Sequence, residues 1–290
     1  MYTADSLFKV MVEVKASDMY ISIGSYPMLK VDGQSLPLEE EVVSYQNIIE
    51  LKKELLSQEL LDKYDRENEV DFTFSFPGIG RFRINFFRQR GSDAFVARQI
   101  INKIKSIAEL KLPPIIEDLA LEKRGLILVV GATGSGKSTT LASMIDFRNS
   151  HESGHILTLE DPIEFLHQHN KSIVNQREIG QDTNSFSRAL KSALREAPSM
   201  LLIGEIRDKE TMSSALSFSE TGHLVLSTLH ATNAHQAIER IISFYDKGLQ
   251  PLIQFQLSQN IRAIIAQRLV PTLSKGITSA LEILLPTPRI

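Results

Sequence analysis

The sequence contains no cysteine. That excludes disulfides and thiolate zinc sites, and it suits a reducing compartment. No apolar run approaches the roughly 20 residues needed to cross a bilayer. Residues 1–16 mix Asp5, Lys9, Glu13 and Lys15 with their apolar positions, so the N-terminus reads as neither a signal peptide nor a membrane span. Neither sign of charge dominates. With 32 Lys and Arg against 35 Asp and Glu, the net charge of −3 gives no global attraction to nucleic acid or to an anionic membrane. There is no basic tail, aromatic stacking cluster, internal repeat or low-complexity tract, and a cytoplasmic protein without a nucleic-acid partner is expected. What remains is a chain of 290 residues with ordinary apolar and charged fractions, enough for about two domains with separate cores.

The first hundred residues predict a small mixed α/β domain. Leu7, Phe8, Met11 and Val12 recur at helical spacing over residues 4–15. Two short strands, 19–23 and 28–31, flank a turn-like stretch at 24–27, and Asp32-Gly33 marks a second turn. Helical spacing returns over 42–64, interrupted at Ser57, and three strands follow at 70–76, 81–87 and 94–100. Side chains alternate along a strand, so Arg81 and Arg83 share one face while Phe82, Ile84 and Phe86 share the other. With Arg88, Arg90 and Arg98 nearby, that cationic face is either a solvated surface or one turned towards phosphate or another subunit. Residues 106–118 contain Pro113-Pro114, which reads as an extended link between domains spanning 1–105 and 119–290.

Strands then alternate with helices, the pattern of a mainly parallel α/β sheet. The apolar run 126–130 leads into Gly131-Ala132-Thr133-Gly134-Ser135-Gly136-Lys137-Ser138, which matches G-x-x-x-x-G-K-[ST] between a strand and a helix. Successive N–H groups of such a loop surround a β-phosphate at a helix N-terminus. Lys137 supplies charge for the β- and γ-phosphates, the Ser138 hydroxyl is a Mg²⁺ ligand, and Thr139 completes the nucleotide-binding set. A glycine-rich helix cap is the bland alternative. ATP and Mg²⁺ are the expected cofactors.

Further strands are expected at 154–159, 200–203, 224–229 and 278–285, with helices at 185–196, 210–220, 234–245 and 252–269. In a parallel sheet the carboxyl ends of strands face the ligand crevice. Glu160-Asp161-Pro162-Ile163-Glu164 and Gly204-Glu205 follow two of these strands, so Glu160 and Glu205 are candidate metal ligands and Glu164 and Glu205 candidates to position or deprotonate water. His223 and His230 bracket a third strand as candidate phosphate sensors. His167 and His169 read as a solvated loop and not as a metal site.

These motifs together resemble the type IV pilus retraction ATPases of the type II/IV secretion ATPase superfamily, the PilT and PilU type. The resemblance rests on Lys15-Ala16-Ser17-Asp18, the phosphate loop, Glu160 to Glu164, Asn175-Gln176-Arg177-Glu178, the Glu205 segment, Thr221 to His230 and Gln267-Arg268-Leu269-Val270. Ala197-Pro198, Glu220-Thr221-Gly222 and Asn233 to Ala237 look nearer the PilU branch. The resemblance implies a PAS-like N-terminal domain joined to a RecA-like ATPase core. It also implies six copies in a ring at the inner-membrane base of a pilus, acting on a platform protein and alongside a paralogous retraction ATPase. Carried onto this sequence, Glu164 becomes the base and Glu205 the Walker B acid, while His223 and His230 become sensors. Arg81, Arg83 and Arg98 become the phosphate-contacting arginines. Ser199 stands where the family commonly has Asp, and the family continues with helices beyond a segment like 282–288, so the chain is expected to be truncated. Alternatives are an accessory nucleotide-binding subunit, a pilus-assembly or type II secretion ATPase, and a nucleic-acid translocase. The second usually carries four zinc-binding cysteines that this chain lacks.

Overall fold

Two sheets built on different residue patterns organise the chain. The computed structural model describes residues 2–38, 41–100, 103–272 and 276–287. It divides into units spanning 1–102 and 103–290, each described by itself.

The first unit runs α1 (Ala4–Glu13), β1 (Asp18–Ser22), β2 (Met28–Val31), β3 (Gln34–Pro37), α2 (Tyr45–Leu55), α3 (Gln58–Glu67), β4 (Glu69–Phe76), β5 (Gly80–Gln89) and β6 (Ser92–Ile100). Its strands pair antiparallel in the order β3-β2-β1-β6-β5-β4. Phe82, Ile84 and Phe86 are fully buried on one face of β5, against Phe8 of α1 and Tyr64 of α3. Arg83 lies on the open face. Strand β3 is exposed at every position, which is why no apolar alternation announces it. The turn at Asp32-Gly33 is therefore a hairpin turn into a further edge strand.

The second unit runs α4 (Ile115–Ala120), β7 (Gly125–Val130), α5 (Lys137–His151), β8 (Gly154–Glu160), β9 (Ser172–Glu178), α6 (Phe186–Ala193), β10 (Met200–Ile203), α7 (Lys209–Glu220), β11 (Leu224–Leu229), α8 (Ala234–Ser243), α9 (Gln250–Asn260), β12 (Ile261–Pro271) and β13 (Ile277–Leu284). The sheet order is β13-β12-β7-β11-β10-β8-β9, with only the β12–β13 pair antiparallel. Strands β7, β10 and β11 are buried at every position because helices cover both faces. Helices α6 to α9 pack on the face carrying Leu126, Leu128 and Val130; α4 and α5 pack on that of Ile127 and Val129.

Two expectations are corrected here. The helical pattern at 252–269 resolves into α9 followed by β12, with extended backbone from Ile261 onwards. Positions 263–266 are all buried between β7 and β13, so the strand loses its period of two and reads as a longer helical stretch. The 106–118 segment is not simply extended. Pro114 opens α4, where a missing N–H costs nothing, and Ile107, Leu112 and Ile116 are buried in the second unit's core. Residues 288–290 of the expected tail lie outside the described residues.

Candidate nucleotide site

The phosphate loop occupies the turn between β7 and α5. Gly131 has φ +153° and Gly136, the cap of α5, has φ +87°. A side chain at Gly131 would strike the Gln267 carbonyl, and one at Gly136 would come within 2.7 Å of Gln267 Nε2. Both glycines are thus required by close approach as well as by backbone conformation. Lys137 and Ser138 form the first turn of α5, where N–H groups and the helix dipole favour an anion. Lys137 Nζ donates to the Gly131 and Ala132 carbonyls, 3.0 Å to each. Burial lowers its pKa, opposed by Glu205 and Glu164 across the cleft.

That cleft has a volume of about 520 Å³, and the loop, Thr139, Glu160, Glu164, Glu205, Arg207 and His230 line it. The volume is in the range of small-molecule sites. Adjacent strands β8, β10 and β11 each deliver one group at their carboxyl ends: Glu160, Glu205 and His230. Glu205 is held on two sides, Oε2 accepting from Arg207 Nε at 2.6 Å and Oε1 lying 3.2 Å from His230 Nε2. Glu164 is exposed in the cleft, and no hydrogen bond to its carboxylate is found among the described residues.

Glu160 differs from both. Burial pushes its pKa up to about 7, against the donors Thr158 Oγ1 at 2.6 Å, Gln176 Nε2 at 3.3 Å and the Glu164 backbone N–H. Gln176, on β9, also donates to the Phe165 carbonyl at 2.8 Å and accepts from the His167 N–H at 2.8 Å. Glu178 accepts from the Ile163 N–H at 3.2 Å. At the far end of the same segment Asn149, near the C-terminus of α5, donates to the Gln168 carbonyl and accepts from the Asn170 and Ser172 N–H groups. The acidic segment is therefore pinned from β9 and from α5 at once.

Several sequence readings change. His167 is not on a solvated loop: it lines the cleft, and burial lowers its pKa to about 4, so its ring is neutral. His169 is exposed, with Nδ1 accepting from the Val174 N–H. His223 and His230 flank β11 on opposite ends, and only His230 reaches the cleft. His223 packs edge-on to Phe218 and bonds the Phe218 carbonyl through Nδ1 at 3.1 Å, at the amino end of β11 and outside the cleft lining. Ser199 likewise sits at the amino end of β10, its hydroxyl donating to the His155 carbonyl. An acid there would face away from this cleft.

Arg81, Arg83 and Arg98 belong to the first unit's sheet. Arg98 Nε bonds the buried Asp18 at 2.8 Å, and Arg83 Nε lies 3.9 Å from Asp71. Sequence reasoning missed Arg207, His167 and Gln176 as parts of the site. It also missed the contact of Gln267 with the loop. Arg207, two residues after Glu205, carried the clearest signal.

No cluster of three metal-ligating His, Cys, Asp or Glu side chains occurs among the described residues. The donor set of a helix-start hydroxyl and acidic oxygens still fits Mg²⁺, which takes few protein ligands and completes its shell with phosphates and water. No helix of the described residues is long and apolar enough to cross a membrane.

The profile of the family described as "Type II/IV secretion system protein" matches residues 101–282. The type IV pilus ATPase PilU of Pseudomonas aeruginosa is 47% identical over 285 residues, covering 98% of this chain and 75% of that protein. The pilus retraction ATPase PilT of the same organism is 40% identical over 275 residues, covering 95% and 80%. Among solved structures, the pilus retraction motor PilT with bound ADP matches at a TM-score of 0.95 and 42% identity, covering 99% of this chain and 84% of that one. The Legionella pneumophila ATPase DotB matches at 0.87 and 27%, covering 98% and 81%.

Proposed function

This chain belongs to the type II/IV secretion system protein family and is a nucleotide-binding P-loop ATPase; from that premise we propose that it powers retraction of a type IV pilus as a cytoplasmic ring of six copies. The observation that carries the reading is the convergence of Lys137, Glu164, Glu205 and His230 on one cleft at the carboxyl edge of a parallel sheet. On binding ATP, Lys137 exchanges its loop carbonyls for the β- and γ-phosphates while the loop N–H groups hold the β-phosphate. Glu164, with its carboxylate free, takes the proton of the attacking water. Glu205, oriented by Arg207 and His230, fixes the water or the metal shell. Ser138, with Glu205 and Glu160 as acidic partners, would hold Mg²⁺, which would supply charge neutralisation. His230 links Glu205 to the γ-phosphate. An inner-membrane platform protein receives the work.

A second reading is favoured by the higher identity to PilU than to PilT: an accessory subunit that binds nucleotide and works beside a paralogous motor. ATP turnover per subunit across a protein dilution series separates the two. The motor reading expects turnover that rises with concentration and is lost in Lys137→Ala and Glu164→Gln. Nucleotide binding without turnover in the unaltered protein transfers the case to the accessory subunit.

A further inference from the structure

We propose that Gln267 is a positioning residue for the phosphate loop, pinning from behind the peptide plane that aims the Gly136 N–H into the anion site. Gln267 lies on β12, is 6% exposed and does not itself line the cleft. Its Nε2 donates to the Ser135 carbonyl at 2.8 Å and its Oε1 accepts from Thr140 Oγ1 at 2.7 Å. The carboxamide therefore spans the loop and the first turn of α5, and both its ends are used.

The consequence follows from peptide geometry. In a trans peptide the carbonyl and the following N–H point in opposite directions. The Ser135 carbonyl and the Gly136 N–H share one plane, so a donor that fixes the carbonyl on the β12 side turns the N–H to the other side. Gly136 has no side chain to limit its own rotation, and its φ of +87° is held by what surrounds it. Gln267 Nε2 is the atom that a side chain at Gly136 would meet at 2.7 Å. Glycine and glutamine are thus two halves of one arrangement: the first lets the plane turn, the second sets where it stops. Thr140, buried at 1%, fixes the rotamer of Gln267 from the helix side. Two residues on, Leu269 lines the cleft, so this end of β12 both pins the loop and forms part of the cleft wall.

The proposal rests on the nucleotide reading of the loop, and its test separates the two. MgADP affinity is measured by calorimetry on the full chain, with inorganic pyrophosphate as a competitor that occupies only the cradle. Gln267→Met keeps the length and the packing but removes both bonds. It is expected to weaken MgADP and pyrophosphate by a common factor of about tenfold, the scale of a buried hydrogen bond to an anion site. KM for ATP should rise by a similar factor while kcat changes less than about threefold. Thr140→Val is expected to weaken MgADP about threefold, Thr140→Ser to restore it, and the Gln267→Met/Thr140→Val pair to be no weaker than Gln267→Met alone. Unchanged MgADP affinity in Gln267→Met overturns the proposal, as does a loss of melting temperature without a loss of affinity. If Gln267→Met does not fold, equal affinities in Thr140→Val and Thr140→Ser overturn it. Failure of the unaltered protein to bind MgADP overturns the nucleotide reading and the proposal with it.

Discussion

The two sheets put their charged groups in different places, and the reason is how each is covered. In the first unit one face of an antiparallel sheet is open, so β5 alternates between buried Phe82, Ile84 and Phe86 and polar neighbours such as Arg83. Its charges find partners on the same face or at the strand ends: Arg98 with Asp18, and Lys52 and Arg88 with Asp93. In the second unit both faces are covered, and β7, β10 and β11 have no polar face. Their charged groups are displaced to the strand ends, where Glu160, Glu205 and His230 meet across a cleft. An open face distributes charge as local pairs; a doubly covered sheet concentrates it at one edge. At that edge burial, with a smaller contribution from neighbouring Glu164, raises the pKa of Glu160 despite its hydrogen-bond donors.

Three substitutions sharpen that contrast. Glu205→Gln at the parallel sheet's edge should lower kcat for ATP by about 10²- to 10³-fold, the scale seen when one preorganised polar group is lost. Its effect on melting temperature should be small, because the amide still accepts from Arg207. A rate loss below about threefold would place the chemistry elsewhere in the cleft. Asp93→Asn, in the first unit, should act through stability instead, costing about 1–3 kcal/mol by denaturant unfolding. Burial raises the pKa of Asp93, but the Tyr64 hydroxyl at 2.6 Å and Lys52 at 3.0 Å outweigh it and leave the pKa below 3.8. The carboxylate's contribution is therefore present above the ordinary value and lost as pH falls through the lowered one. The variant should lose stability at pH 7 and show a flatter acid limb below about pH 4; an unchanged limb would assign that limb to other groups. Least affected should be Arg83→Ala. Its ion pair spans 3.9 Å between half-exposed side chains, and a change within about 0.5 kcal/mol is expected.

Where the sequence was legible, a local rule sufficed. The phosphate loop declares itself because its glycines, lysine and strand lie within one stretch, and Glu160 and Glu205 follow from apolar runs that end in acids. Strand β9 was missed because Ser172–Glu178 is an edge strand rich in polar residues. Strand β12 was taken for helix because burial on both faces erased its alternation. The error at His223 came from treating both ends of β11 alike, although only the carboxyl end faces the cleft. Gln176 and Gln267 were visible as motif letters, but what they hold depends on which strands become neighbours. His167 was read as solvated because nothing in its flanking residues announces that the cleft wall folds over it.

Helix α5 connects two segments that line the cleft. It starts at Lys137 in the phosphate loop and ends at His151, and 15 residues at 1.5 Å rise make a rod of roughly 22 Å. Near its far end Asn149 grips the backbone at Gln168, Asn170 and Ser172, and its own carbonyl accepts from the Lys171 N–H. That backbone continues directly from the segment bearing Glu164. The phosphate loop and the strap that bears Glu164 are thus tied to opposite ends of one helix, so two walls of the cleft share a single strut.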